Sequence, residues 1–270
     1  MKMNKWVSVI SIAVLIYTLF IVAGPMPASA ATFISGGITS FDISVKGAAA
    51  NSVYVFVPDT GTTGKVSGVG AASAIDWSSI GYLLSLFDNP QRIVKDTDTT
   101  YVDTSTGSPL FATIGAATIL AFAGPGVNNV VHYFETIDPM INGATVRYGT
   151  DGTNAYWTIY GSKITATSTA LSSLGNTLDL FVIEAFTDGA GGRVYIIYGL
   201  GGFGTMAAGV FIRFNFYQYG TVDPGSITGA TANTLIYKWT DGTSAPANNK
   251  FPDFSGGAGP DGWSLLYSGP

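Results

Sequence analysis

Ala116-Ala-Thr-Ile-Leu-Ala-Phe-Ala-Gly-Pro-Gly-Val-Asn-Asn-Val-Val-His-Tyr-Phe-Glu135 is the stretch from which the fold of this chain is read. Ala116–Phe122 is an unbroken apolar run of strand length, and Ala123-Gly124-Pro125-Gly126 closes it. From Val127 to Ile137 the residues Val127, Val130, Val131 and Phe134 recur at three- and four-residue intervals, the period of a helix that buries one face. The stretch predicts a strand, a tight turn and a helix in immediate succession.

The same arrangement recurs near 193–216, where the run Val194–Tyr198 leads through a glycine loop into Thr205–Phe214. Between the two units lie strand-like segments around 144–149, 155–168 and 179–187, the first two joined at Asp151-Gly152, a hairpin turn sequence. Leu235–Thr240 and Trp263–Tyr267 read as two last strands. Upstream, residues 32–47 hold two alternating strand-like runs broken at Gly36-Gly37, and Val53–Val57 is a buried strand ended by Pro58. Residues 59–109 read as an irregular region that includes a short apolar segment, Ile80–Phe87. The fold class expected is mixed α/β and β-rich: a small sheet whose two strand-turn-helix units place their strands side by side, surrounded by antiparallel strands. Three regions follow, at 1–30, 31–109 and 110–270.

Residues 1–30 read as a cleavable export signal: Lys2 and Lys5, an apolar run from Trp6 to Ala23, then Ala28-Ser29-Ala30 with small residues for the peptidase. The alternative is a retained anchor, since the apolar run is near the length that spans a bilayer. No later apolar stretch comes close to that length, so no membrane span is expected after cleavage. With 12 basic and 17 acidic residues the chain lacks the cationic surface that nucleic acid requires. It has no cysteine, so no disulfide framework supports it outside the cell. Only 11% of residues are charged, a composition suited to a protein whose sides are covered by copies or partners.

Five groups of residues bear on chemistry. Gly199-Leu-Gly-Gly-Phe-Gly204 fits G-x-G-x-x-G between a strand and a helix, which suits either a phosphate at the helix N-terminus or close packing of helix on sheet. The acid that a dinucleotide site needs on the next strand is missing, and Asp223 sits in an Asp-Pro-Gly turn, so packing is the preferred reading. His132, the only histidine, stands three residues before Glu135 on one helix face, with no Gly-x-Ser-x-Gly elbow in the chain. Asp96, Asp98 and Asp103, with Asp88 upstream, alternate as hard oxygen donors and form a candidate Ca²⁺ site; the alternative is aspartates that cap their own turns. Asp241, Asp253 and Asp261 make a weaker second set. Asp179, Glu184 and Asp188 are the acids from which a glycoside-cleaving pair would be drawn.

Ile119-Leu-Ala-Phe-Ala-Gly-Pro-Gly-Val-Asn128 resembles the "GGP-x-x-N" segment of archaeal surface-layer and related envelope proteins, with Ala123 in place of the first glycine. Arg193–Gly199 followed by Gly204-Thr-Met-Ala-Ala-Gly209 is similar to that family's second strand and its "GT-x-AAG" helix opening. Phe181–Asp188 and Tyr237–Asp241 resemble its flanking strands, so the likeness covers roughly 110–241. It implies a non-enzymatic structural protein at the cell surface that binds copies of itself or other envelope proteins. Two further classes are carried beside it: a filament subunit whose segment Ala31–Val45 completes a neighbour's sheet, and a secreted carbohydrate-binding or glycan-active protein.

Overall fold

The computed structural model describes residues 32–33, 37–137, 146–159, 162–217, 232–242, 251–252 and 261–269; residues 1–30, expected from the sequence to be an export signal, and Gly36, Asp223 and Asp253 lie outside them. Strands are numbered β1–β11 along the chain. β2 (Val53–Val57), β3 (Arg92–Lys95), β4 (Thr118–Phe122), β8 (Leu178–Thr187), β9 (Arg193–Gly199), β10 (Thr234–Thr240) and β11 (Gly262–Gly269) form a mixed sheet in the order β11-β10-β8-β9-β4-β2-β3. β1 (Thr32–Phe33) adds to β8. β3, β2, β4 and β9 run parallel, whereas β8, β10 and β11 extend the sheet by antiparallel pairing. A second sheet is the antiparallel β5 (Val146–Thr150), β6 (Asn154–Ile159) and β7 (Ser162–Ala170). The mixed α/β, strand-rich class read from the sequence is the one observed.

Both strand-turn-helix units form, and their strands are neighbours, with Ile119 opposite Val194 and Phe122 opposite Ile197. The helices numbered here are α1 (Ala74–Leu84), α2 (Phe111–Ile114), α3 (Asn129–His132, continued as a wider turn over Tyr133–Ile137) and α4 (Gly202–Tyr217). The sheet separates two apolar layers because its central strands are buried on both sides. On one face α1 and α4 pack through Ile80, Leu83, Ala207, Ala208 and Phe211. On the other, α3 and the β5–β7 sheet pack through Val130, Phe134, Trp157 and Ile159. The chain thus leaves β4 toward one face and leaves the adjacent β9 toward the other. A crevice opens between such strands at their carboxyl ends, the place where open α/β sheets bind their ligands.

Two expectations change. Among the described residues of 32–47, the second strand-like run is helical: Thr32–Phe33 is extended, but Gly37–Ser40 and Asp42–Lys46 are helical turns. Ile38, Phe41 and Val45 are buried at helical spacing, which outweighs the alternation of Phe41, Ile43 and Val45. The stretch 59–109 is not irregular throughout, since it contains α1 and β3. Ser73 starts α1 with a reciprocal capping box: its hydroxyl accepts from Asp76 N, and Asp76 accepts from Ser73 N.

Candidate functional site

At the carboxyl ends of β4 and β9 a cavity of about 170 Å³ lies between the turn Gly124–Val127 and the turn Gly199–Gly202. Tyr148, Tyr198, Thr205 and Asp76 complete its lining. Ala123 enters the first turn with φ +71°, a left-handed conformation that an L side chain takes at a cost, while its N–H bonds Ile197 O across the strand pair. The backbone there has the geometry glycine favours.

The second turn answers the G-x-G-x-x-G question. Asp179, at the start of β8, accepts from Gly204 N at 2.8 Å and Gly201 N at 3.3 Å, and from its neighbour Leu180 N at 2.7 Å. The chain's own carboxylate therefore sits where an incoming phosphate would bind the start of α4. Burial lifts its pKa to about 7 against those three N–H donors. A Cβ on Gly204 would stand 2.3 Å from Leu180 O, and one on Gly199 2.3 Å from Thr205 N. These glycines exist because helix and sheet backbones touch, which is the packing reading of the sequence.

Beyond the neighbouring strand ends is a buried polar network. Asn128 donates to Phe56 O and Phe122 O, near the ends of β2 and β4, while its Oδ1 caps α3 at Val130 N. Asp96, just past β3, accepts from Asp59 N, from Asn129 N and from Lys65 Nζ, the last at 2.5 Å. Lys65 Nζ also donates to Val127 O at 2.6 Å, and Asn129 bridges Val66, Gly64 and the Asp96 carbonyl. The three aspartates of the candidate Ca²⁺ site are not brought together. Asp98 accepts from Thr100 N and Asp103 from Ser105, each closing its own turn, and those bonds hold the Asp103 carboxyl below its ordinary value. Among the described residues no group of three or more acids and histidines converges on a point that could hold an ion. Asp261, from the second set, binds Trp239 Nε1 and Gly242 N.

Between the main sheet and the β5–β7 sheet lie the groups sequence reasoning did not assemble. Glu135 is fully buried, accepts from Tyr148 N and bonds the Tyr198 hydroxyl, which in turn takes the Trp157 indole N–H at 2.8 Å. Burial and the nearby Glu184 push Glu135 up to about 8. Its partners come from three separate elements, so no local pattern announced them. His132 is half-buried against the Pro125 carbonyl, and burial lowers its pKa. Glu184 lies within β8, while Asp188 lies beyond the strand and ties the turn through Ala190 N and Gly192 N. No helix among the described residues is long and apolar enough to cross a membrane.

Compared with known proteins, the chain matches no family model and no curated protein.

Proposed function

We propose that this chain is a non-enzymatic structural protein of the cell envelope, of surface-layer type, exported by residues 1–30 and working by packing against copies of itself or other envelope proteins. The observation that carries the reading is the state of the carboxyl edge, where an α/β fold keeps its reactive groups. There Asp179 is spent on the start of α4, Asn128 on two strand ends, and Asp96 on Lys65 and two backbone N–H groups. Polar groups fully engaged with their own backbone rigidify a scaffold. Sparse charge and the four segments that resemble surface-layer proteins support the same reading. The filament alternative is less favoured, because Ile38, Phe41 and Val45 fill the chain's own core and a donated strand would have to leave it.

The cavity beside Tyr148 supports a second reading, a glycan-binding accessory of the envelope, with the aromatic residues Tyr148 and Tyr198 in its lining to stack on a small sugar. Light-scattering mass of the exported protein across a concentration series tests the first reading. Growth to large, salt-tolerant assemblies is expected. A monomer at every concentration, with tyrosine fluorescence quenched by envelope polysaccharide, would favour the second.

A further inference from the structure

We propose that Lys65 and Asp96 become joined by an intramolecular amide bond, a covalent staple from the loop after β2 to the end of β3. The inference goes beyond the layer reading and stands whether or not that reading does. Lys65 Nζ lies 2.5 Å from Asp96 Oδ2, and the two side chains are 2% and 0% exposed. A charged pair that has lost its water carries a standing desolvation cost, whereas an amide in the same place carries no charge. Burial also shifts the lysine toward the neutral amine that attacks carbonyl carbon. Contact held by the fold replaces a bimolecular encounter, one of the obstacles to joining an amine and a carboxyl in water.

The surroundings suit the product as well as the ion pair. A proton passes from Nζ to Oδ2, giving amine and acid. Nζ then bonds to Cγ, and the charge that develops on Oδ1 meets the Asp59 N–H, 2.7 Å away. A second Nζ proton goes to the Oδ2 hydroxyl, the Cγ–Oδ2 bond breaks and one water leaves. The remaining N–H keeps Val127 O as its acceptor, and Oδ1, now the amide carbonyl, keeps Asp59 N. Only the Asn129 N–H loses its acceptor, and it belongs to the first turn of α3, where N–H groups lack helical partners in any case. No oxidant or cofactor enters. In a chain without cysteine this cross-link would close residues 65–96 as a disulfide closes a loop.

Tandem mass spectrometry of the exported wild-type protein tests this directly. The expected result is a branched peptide joining the Lys65 and Asp96 segments and an intact mass about 18 Da below that of the linear chain, one water lost. Lys65→Arg keeps the charge and the ion pair but offers no amine, and should restore the linear mass. Lys65 and Asp96 recovered in separate, unmodified peptides from the wild type would overturn the proposal, as would a branched peptide that persists in Lys65→Arg.

Discussion

Ala123 carries a cost that its neighbours absorb. Its φ of +71° opposes an L side chain, by roughly 1–2 kcal/mol. Replacing it by glycine relieves that strain but gives up a buried methyl and frees the unfolded chain, losses of about the same size. Ala123→Gly is therefore expected to leave stability within about 1 kcal/mol of the parent. Ala123→Val, with a branched side chain in a fully buried left-handed turn, should lower it by more than about 2 kcal/mol in urea titrations. A second residue-scale expectation concerns pH. Glu135 is lifted from 4.5 to about 8 and Asp179 from 3.8 to about 7. In the unfolded chain both lose their protons above pH ~4–5, so between there and 7–8 the unfolded state binds fewer protons than the native one, and stability falls as pH rises. Glu135→Gln keeps an acceptor for Tyr148 N and removes one share of that slope. It should match the parent near pH 5 and exceed it by roughly 2–4 kcal/mol at pH 8.5, and parallel pH profiles would refute the assignment.

At the scale of elements, the glycine-rich start of α4 is a contact rather than a ligand cradle. Gly204→Ala drives a methyl against Leu180 O and should destabilise by at least about 2 kcal/mol, with phosphate giving no protection. The loop from Asp96 to Asp103 has its carboxylates committed to a lysine and to local turns. Millimolar calcium is accordingly expected to move Tm by less than about 1 °C, and a rise of several degrees would restore the ion site. Strand-turn-helix units were legible because a fully apolar run and a 3.6 period are local signals; β4, α3, β9 and α4 all stand where the pattern put them. The helical turn Asp42–Lys46 was not, since Phe41, Ile43 and Val45 alternate like a strand while Ile38, Phe41 and Val45 form the buried stripe. α1 was missed although Ser73 and Asp76 spell a capping box, because its body, Ala74–Leu84, mixes serine and glycine among its apolar residues. The Lys65, Asn128 and Glu135 networks join separate elements, with Lys65 and Asp96 31 positions apart and Asn128 and Phe56 72 apart, and nothing local in the sequence encodes such pairings.

The whole molecule joins two covered layers around one sheet, and β2 and β3 from the first half share that sheet with β4 and β9. The helical turns of residues 37–46 belong to the same core, so deleting residues 31–47 should leave an unfolded chain, and Phe41→Ala alone should cost about 3–5 kcal/mol. A folded, merely non-assembling deletion product would instead return Ala31–Val45 to the role of a donated strand. What this body offers to its surroundings is a rigid, weakly charged surface, which is the physical content of the surface-layer proposal. Negative-stain microscopy of residues 31–270, concentrated with and without calcium, tests that claim most directly. The account predicts ordered two-dimensional sheets in both conditions; dispersed single particles in both would contradict it.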